Sequence, residues 1–312
     1  MAGPLAAVTG ATGFLGARLT TALLAKGWRV RALVRRTPDP ARLPPSAGIE
    51  LVRGDLADLA ALKALVDGAD VTLHCAGLIK ARRRADFFAV NRDGAQTVAA
   101  AVGAGRLLLI SSLAAREPGL SDYADSKRAG EDAARAASRG PLTIVRPPAI
   151  YGPGDVETLA LFKLAGRSPI LPLPGGPAAR LAVAHVDDVV ETILALIPTE
   201  APPGPFAVGG DRPEGYAWRE IFAAAAAAMH RNPAFVTLPP WLTRTAASAS
   251  RAVGQLTGAA PIFTPGKARE ILHPDWSVSP GEQAPGAPKA KFNIKDGFAD
   301  AVAWYRARGW LN

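Results

Sequence analysis

Between a short apolar run at Leu5–Val8 and a helical pattern at Phe14–Ala25 lies the segment Thr9-Gly10-Ala11-Thr12-Gly13-Phe14-Leu15-Gly16. This segment constrains the chain more than any other. A turn from strand to helix with three glycines lets backbone N–H groups and a helix N-terminus approach a pyrophosphate closely, which side chains at those positions would prevent. An ordinary glycine-rich turn is the competing reading. The strand before it and the helix after it favour a dinucleotide site contacted by Gly10, Thr12, Gly13, Phe14, Leu15 and Gly16.

The end of the second strand bears on which dinucleotide. An acidic residue about 20 positions beyond the glycines would hold a ribose 2′-hydroxyl and favour NAD. Arg35 and Arg36 stand there instead. Guanidinium forks bind a 2′-phosphate bidentately, where a carboxylate would repel it. NADP is therefore the expected cofactor, with NAD the alternative. Solvated surface arginines and loose selectivity are the competing account, and nearby Asp39 complicates the choice.

The first half of the chain alternates strands with helices. Strands are expected at Leu5–Val8, Trp28–Val34, Ile49–Val52, Asp70–His74, Arg106–Ser111 and Leu142–Val145. Helices fit through Leu59–Val66, over Asp86–Val102, and over Ser121–Ala137 with Ser121 as N-cap. Such alternation predicts an α/β fold, a parallel sheet with helices on both faces. After Tyr151 proline and glycine become dense, which reads as loops around short elements. There a strand is expected at Leu181–Val186, a returning helix at Asp187–Ile197 and a short strand at Phe206–Val208. Helices are expected at Trp218–Met229, from Pro265 behind the cap Thr264 to Leu272, and at Lys295–Arg308, with a loop at Ser277–Pro288. The predicted organisation is a dinucleotide-binding domain of residues 1–154 plus about 180–200 and a substrate domain of about 155–179 and 201–312.

Composition removes other classes. With 49% hydrophobic and 20% charged residues the 312-residue chain is neither disordered nor fibrous. One cysteine, Cys75, allows no internal disulfide and no multi-cysteine metal site, so no metal is expected. No apolar run approaches the roughly 18 residues of a membrane span, and the first residues lack a signal peptide's basic region. These features predict a cytoplasmic protein. A net charge of +9 raises nucleic acid as a partner, but Arg outnumbers Lys 27 to 9 in a chain heavy in Ala, Gly and Pro. Residues with GC-rich codons account for that excess. The only compact basic cluster, Lys80 with Arg82–Arg84, lacks a zinc-finger or aromatic RNA-binding context, so no nucleic acid is expected. That cluster suits a phosphate or carboxylate on a small-molecule substrate, against a plainly solvated loop.

Tyr123 and Lys127 stand four apart at the start of a predicted helix, on one face. A phenol with a pKa near 10 is a poor base at neutral pH, and a nearby ammonium lowers it into a usable range. The pair follows Ser111-Ser112, which end the fifth strand at the edge where open α/β sheets bind ligands.

Taken in order, these motifs resemble the extended short-chain dehydrogenases/reductases of the epimerase/dehydratase superfamily. The match includes TGATGFLG, Gly54-Asp55-Leu56, Cys75-Ala76-Gly77, Phe88–Gly94, Ser112, Tyr123/Lys127, Arg146–Pro153, His185–Asp188 and the segment Gly297–Leu311. It covers nearly the whole chain, loosely over residues 200–290. The resemblance implies a Rossmann doubly wound sheet with a smaller, partly interleaved C-terminal substrate domain. It implies Tyr123 as acid/base, Lys127 lowering its pKa and holding the nicotinamide ribose, Ser112 hydrogen-bonding the reacting oxygen, and Asn91 supporting Lys127. Asp55 and Leu56 would flank the adenine, Ala76 and Gly77 the ribose-phosphate, and Pro147 and Ile150 the nicotinamide. Ser111 is the less suitable serine. Relatives often pair through the helices after their fourth and fifth strands, which leaves a homodimer open.

Departures from the pattern bear on the reaction. Leu113-Ala-Ala-Arg116 replaces the Val-Tyr-Gly that follows the serine in nucleotide-sugar epimerases and dehydratases, and Ala149 stands where they place a substrate-binding Asn. The Thr-Asp-Glu set of dehydratases is absent. The chain is thus expected to move a hydride between the nicotinamide and a secondary alcohol or ketone, nearest the 3β-hydroxysteroid dehydrogenase and dihydroflavonol reductase branch. The alternatives are an NAD-dependent nucleotide-sugar epimerase and a non-catalytic NADP(H)-binding sensor or assembly protein. Retention of both Tyr123 and Lys127 argues against the last. His74, Cys75, His185 and Asp187-Asp188 read as structural, and Trp276, Trp304 and Trp310 as packing.

Overall fold

The chain begins with strand β1 (Leu5–Thr9), every residue of which is buried, as a central parallel strand covered on both faces requires. A computed structural model describes residues 3–35, 43–174, 179–198, 204–257 and 263–311. The described residues divide into two compact units. The first lies within Met1–Arg146, Thr192–Phe206 and Ala284–Gly286; the second lies within Pro147–Glu191, Ala207–Gln283 and Ala287–Asn312.

In the first unit β1 leads into α1 (Phe14–Ala25), followed by β2 (Arg29–Val34), β3 (Ile49–Arg53), α2 (Leu59–Val66) and β4 (Val71–His74). Then come α3 (Arg84–Phe88), α4 (Gly94–Val102), β5 (Leu107–Ile110), α5 (Asp122–Ala137) and β6 (Leu142–Arg146). The seven-stranded sheet is ordered β3-β2-β1-β4-β5-β6 and closes with a strand at Phe206–Ala207. Neighbours from β3 through β6 pair in parallel. The order reverses between β1 and β4, and in a doubly wound sheet the crevice at that switch receives the ligand. Leu62 and Leu65 of α2, Val98 and Ala99 of α4, and Leu107, Leu109 and Ile144 of the sheet form one buried cluster. Each fully buried leucine there contributes roughly 1.5–3 kcal/mol.

The expected helix over Asp86–Val102 is two helices with a π turn, Ala89–Asp93, between them. Helical periodicity does not reveal this wider turn, because one extra residue per turn barely disturbs the apolar spacing. Asn91 is buried in it, and two glycines fit its neighbours: a Cβ on Gly94 would lie 2.7 Å from a Leu56 methyl, and one on Gly130 2.2 Å from the Asn91 carbonyl.

The second unit is built from β7 (Ala149–Tyr151), α6 (Leu159–Arg167), β8 (Ile170–Leu173), β9 (Arg180–Leu181) and β10 (Val183–His185). Helix α7 (Val186–Leu196) follows; strand β11 (Phe206–Ala207) completes the large sheet. Then come α8 (Trp218–Ala228), β12 (Ala234–Thr237), α9 (Pro240–Thr257), α10 (Pro265–Leu272), β13 (Asp275–Trp276) and α11 (Ile294–Ala307). The strand expected over Leu181–Val186 is in fact two: β9 pairs with β13 and β10 with β7. Ala182 lies between them; its amide makes the last bond of the β9–β13 ladder, to Trp276 O, and from Val183 onward the chain pairs with β7 instead. Helix α6 and strands β7, β8, β12 and β13 were not anticipated, being short; nor was the 18-residue α9, whose buried side carries only small or polar residues and so shows no large apolar stripe. Tyr151, Phe162, Phe298 and Tyr305 form the aromatic centre of this unit, edge to face or tilted.

The expected caps form. Ser121 Oγ accepts from Ala124 N at 3.0 Å, and Thr264 Oγ1 from Lys267 N at 3.1 Å ahead of Pro265. Among the described residues, no helix is long and apolar enough to cross a membrane.

Candidate active site

The glycine loop closes on itself. Gly13 N donates to Gly10 O at 2.9 Å; a Cβ on Gly16 would lie 2.1 Å from that oxygen, and one on Gly10, at φ +73°, 2.6 Å from Ala76 N. Only glycine fits these contacts, which bring the carboxyl ends of β1 and β4 together. Helix α1 starts at Gly13 without a side-chain cap and with no acidic residue in its first turn. Its first amides and positive dipole end therefore suit an anionic pyrophosphate. The residues fit a dinucleotide on these grounds.

Thr9 Oγ1 and His74 Nδ1 lie 2.6 Å apart, and Ala76 N donates to the same hydroxyl at 3.4 Å. The hydroxyl oxygen can accept from the amide while it shares a hydrogen bond with His74 Nδ1. Burial pushes His74 down to about 3, and the Lys127 charge adds to the shift. The buried ring is thus held neutral. Cys75 is pushed up to about 12, chiefly by burial, and stays an unreactive thiol. Both have the structural roles expected of them.

Lys127 is buried, and its Nζ donates to Ile110 O at 2.9 Å at the carboxyl end of β5. Burial lowers it to about 8, while Glu131 and Cys75 oppose the shift. A Cβ on Gly77 would lie 3.4 Å from Asn91 Oδ1 and 3.6 Å from Lys127 Nζ. The loop after β4, the π turn and α5 thus converge on the ammonium. Asn91 Oδ1 accepts from Leu78 N at 2.8 Å, while its Nδ2 donates to Leu78 O and to Ser126 Oγ, both at 2.9 Å. Ser126 Oγ in turn donates to Tyr123 O at 2.7 Å. Tyr123 is half-buried, its ring 6.2 Å from that of Phe87.

The two serines have different surroundings. Ser111 is buried and donates to Glu131 Oε1 at 2.6 Å; Arg146 holds the same carboxylate through Nε at 2.8 Å and Nη2 at 2.6 Å. Ser112 is half-buried and accepts from Ala114 N at 3.2 Å, capping a 3-10 turn. The sequence reading missed Glu131, Arg146, Ser126 and Phe87 as supports. A charged Glu131 on the buried face of α5 was the available signal.

Other expected residues lie as follows. Asp55 is exposed and accepts from Ala57 N at 2.9 Å, and Leu56 packs under Gly94. Arg35 is exposed at the end of β2, whereas Arg36 and Asp39 lie outside the described residues. Pro147, buried, and Ile150, half-buried, fall in the second unit. In the basic loop, Arg83 pairs with Asp86, and Arg84 with Asp122 and Asp125 on either side of Tyr123. Asp188 accepts from the amides of Lys291 and Phe292 at 2.8 and 3.2 Å, and His185 stacks on Phe292 at 3.9 Å. Both act as fasteners within the second unit.

The model of the NAD dependent epimerase/dehydratase family matches residues 6–209. The chain is 49% identical over 310 residues to a ceramide reductase of Caulobacter vibrioides, covering 98% of this chain and 95% of that protein. It is 31% identical over 232 residues to a 3 beta-hydroxysteroid dehydrogenase/Delta 5-->4-isomerase of Mycobacterium tuberculosis, covering 63% of this chain and 62% of that protein. Two solved structures share the fold. One, gox2253, has a TM-score of 0.78 at 23% identity, with 99% of each chain covered. The other, the Bordetella bronchiseptica enzyme WbmH in complex with NAD+, has a TM-score of 0.73 at 19% identity, covering 98% of this chain and 99% of that one.

Proposed function

Because the chain belongs to the NAD-dependent epimerase/dehydratase family, and so is an oxidoreductase of the extended short-chain type using a nicotinamide cofactor, we propose that it reduces a ketone on a ceramide-type lipid. The product is the corresponding secondary alcohol. The observation that carries the chemistry is the buried Lys127 ammonium at the carboxyl edge of β5, one helical turn from Tyr123. The substrate class rests on the near full-length likeness to a ceramide reductase.

The reduced nicotinamide cofactor, NADPH in this reading, would supply the hydride when bound. Tyr123 Oη gives its proton to the carbonyl oxygen, and Ser112 Oγ donates a hydrogen bond to the same oxygen. The phenolate left behind is stabilised by the Lys127 charge, an interaction strengthened by exclusion of water. Asn91 positions Lys127 through the shared clamp on Leu78 and Ser126. Gly10, Thr12, Gly13, Phe14, Leu15 and Gly16 would hold the pyrophosphate, Asp55 and Leu56 the adenine, Ala76 and Gly77 the adjacent ribose, and Pro147 and Ile150 the nicotinamide. Arg35, with Arg36, selects NADP. Residues 1–154 plus about 180–200 form the cofactor domain and the remainder the substrate domain. Ala149, without an amide to bind a sugar, supports net reduction over epimerisation.

The test is NADPH oxidation by the purified chain with a synthetic oxo-ceramide, followed by mass analysis for a gain of two hydrogens. Tyr123→Phe should lose roughly 10²–10⁴-fold in kcat while binding NADPH as the parent does. Full activity in that variant removes Tyr123 from the reaction. Inactivity on the oxo-ceramide with activity on a nucleotide sugar overturns the substrate class.

A further inference from the structure

Helix α9 is amphipathic in the unexpected sense. Its buried stripe is Thr243, Ala247 and Gly254, small residues at helical spacing. Its large apolar side chains face outward: Trp241 is 61% exposed, Leu242 37% and Val253 58%. Strand β12, just before it, adds Val236 at 48% exposure. A helix in the periphery of a water-soluble unit ordinarily shows the reverse pattern.

Two further observations say what covers this face. Arg244 and Arg251, seven residues apart, are both exposed and border the apolar face on one side. From residue 221 through 269 the chain contains no Asp or Glu. The surroundings of the helix are therefore basic, complementary to an anionic surface. In addition, the hydroxyls of Thr245, Ser248 and Thr257 bond carbonyls four residues back, at 2.9, 3.0 and 2.9 Å. With its hydroxyls turned inward, the face is less polar than its sequence suggests.

We propose that α9 lies in the plane of an anionic membrane surface, with Trp241, Leu242 and Val253 among the lipid chains and Arg244 and Arg251 at the headgroups. An in-plane helix of this kind combines an apolar face bearing Trp with a basic border, and its strength scales with apolar area and anionic lipid content. A tryptophan at the end of the face suits the water–lipid boundary. The surface is inferred without reference to the reaction proposed above, although it would bring the chain to a lipid substrate.

The experiment is flotation of the full chain with phosphatidylcholine vesicles with and without phosphatidylglycerol. The chain should float with the anionic vesicles, bind neutral ones far less, and be released by salt. Arg244→Glu with Arg251→Glu, and separately Trp241→Ser with Val253→Ser, should each weaken binding roughly tenfold or more. Anionic vesicles should shift tryptophan emission to the blue, and Trp241→Phe should lose that shift. No flotation at low salt overturns the proposal, as does parental binding by both double variants. A dimer dissolved by Trp241→Ser, without vesicle binding, assigns the face to a second copy of the chain instead. None of these readouts involves turnover, so the surface and the reaction stand or fall separately.

Discussion

Asn91 holds Leu78 from both sides, its Oδ1 accepting from Leu78 N at 2.8 Å and its Nδ2 donating to Leu78 O at 2.9 Å. One amide side chain thus satisfies the backbone of the loop after β4 and, through Ser126, fastens that loop to the helix of Tyr123 and Lys127. Asn91→Ala leaves these groups unpaired, at a cost of about 1–3 kcal/mol. Urea unfolding should show the loss, and kcat should fall more than cofactor affinity. Unchanged kcat would separate the clamp from the chemistry.

Glu131 and Arg146 form a buried ion pair that also receives Ser111. Glu131→Ala strands a buried guanidinium and should cost about 3–5 kcal/mol. Replacing both, Glu131→Leu with Arg146→Met, should cost less than Glu131→Ala alone. Denaturant midpoints of the single and double variants give the coupling directly. Additive losses would show that the pair does not act as a unit.

The buried Lys127 gives the chain a specific pH dependence in the alkaline range. Burial lowers its pKa from 10.5 to about 8. Below 8 the folded and unfolded chains both hold the proton, and this group contributes no slope. Between about 8 and 10.5 the folded chain has released the proton that the unfolded chain still binds, so this group makes stability rise with pH. Lys127→Met, free of cofactor, should lack that rise and be more stable than the parent at neutral pH by roughly 1–3 kcal/mol. The same variant should be inactive. Matching stability–pH curves for parent and variant would contradict the assignment.

Arg35 directly follows β2 and is exposed. Arg35→Asp with Arg36→Ala should reverse the preference for NADP over NAD, because the new carboxylate repels a 2′-phosphate and accepts from a ribose hydroxyl. Dissociation constants for NADPH and NADH, taken side by side, check this. An unchanged ratio would show that these arginines do not select the cofactor.

Local chemistry made much of this legible from the sequence. Strands buried on both faces, such as β1, β4, β5 and β6, are near-continuous apolar runs and could be read directly, while the exposed edge strand β3 showed through its position before Gly54-Asp55. The glycine loop and the caps Ser121 and Thr264 are short-range devices, complete within a few residues. The family likeness rested on the same kind of motif. The second unit was harder, because strands of two to four residues are held by partners far along the chain. The apparent strand over Leu181–Val186 divides at Ala182 only because its first part pairs with β13 and its second with β7.

The alternation of elements, the strand–turn–helix cradle and the spacing of Tyr123 and Lys127 are written in the residues alone. Each of these depends on a residue's own backbone freedom, polarity and periodicity. The tertiary structure decided which polar residues support that pair. Asn91 meets Leu78 of the loop after β4 and Ser126 of α5, and Ser111 is withdrawn because Glu131 and Arg146 meet it across the sheet and α5. The outward apolar face of α9 has the same origin. Its packing buries Thr243, Ala247 and Gly254, leaving the larger side chains outside. Such choices depend on burial and distance between segments that only folding brings together.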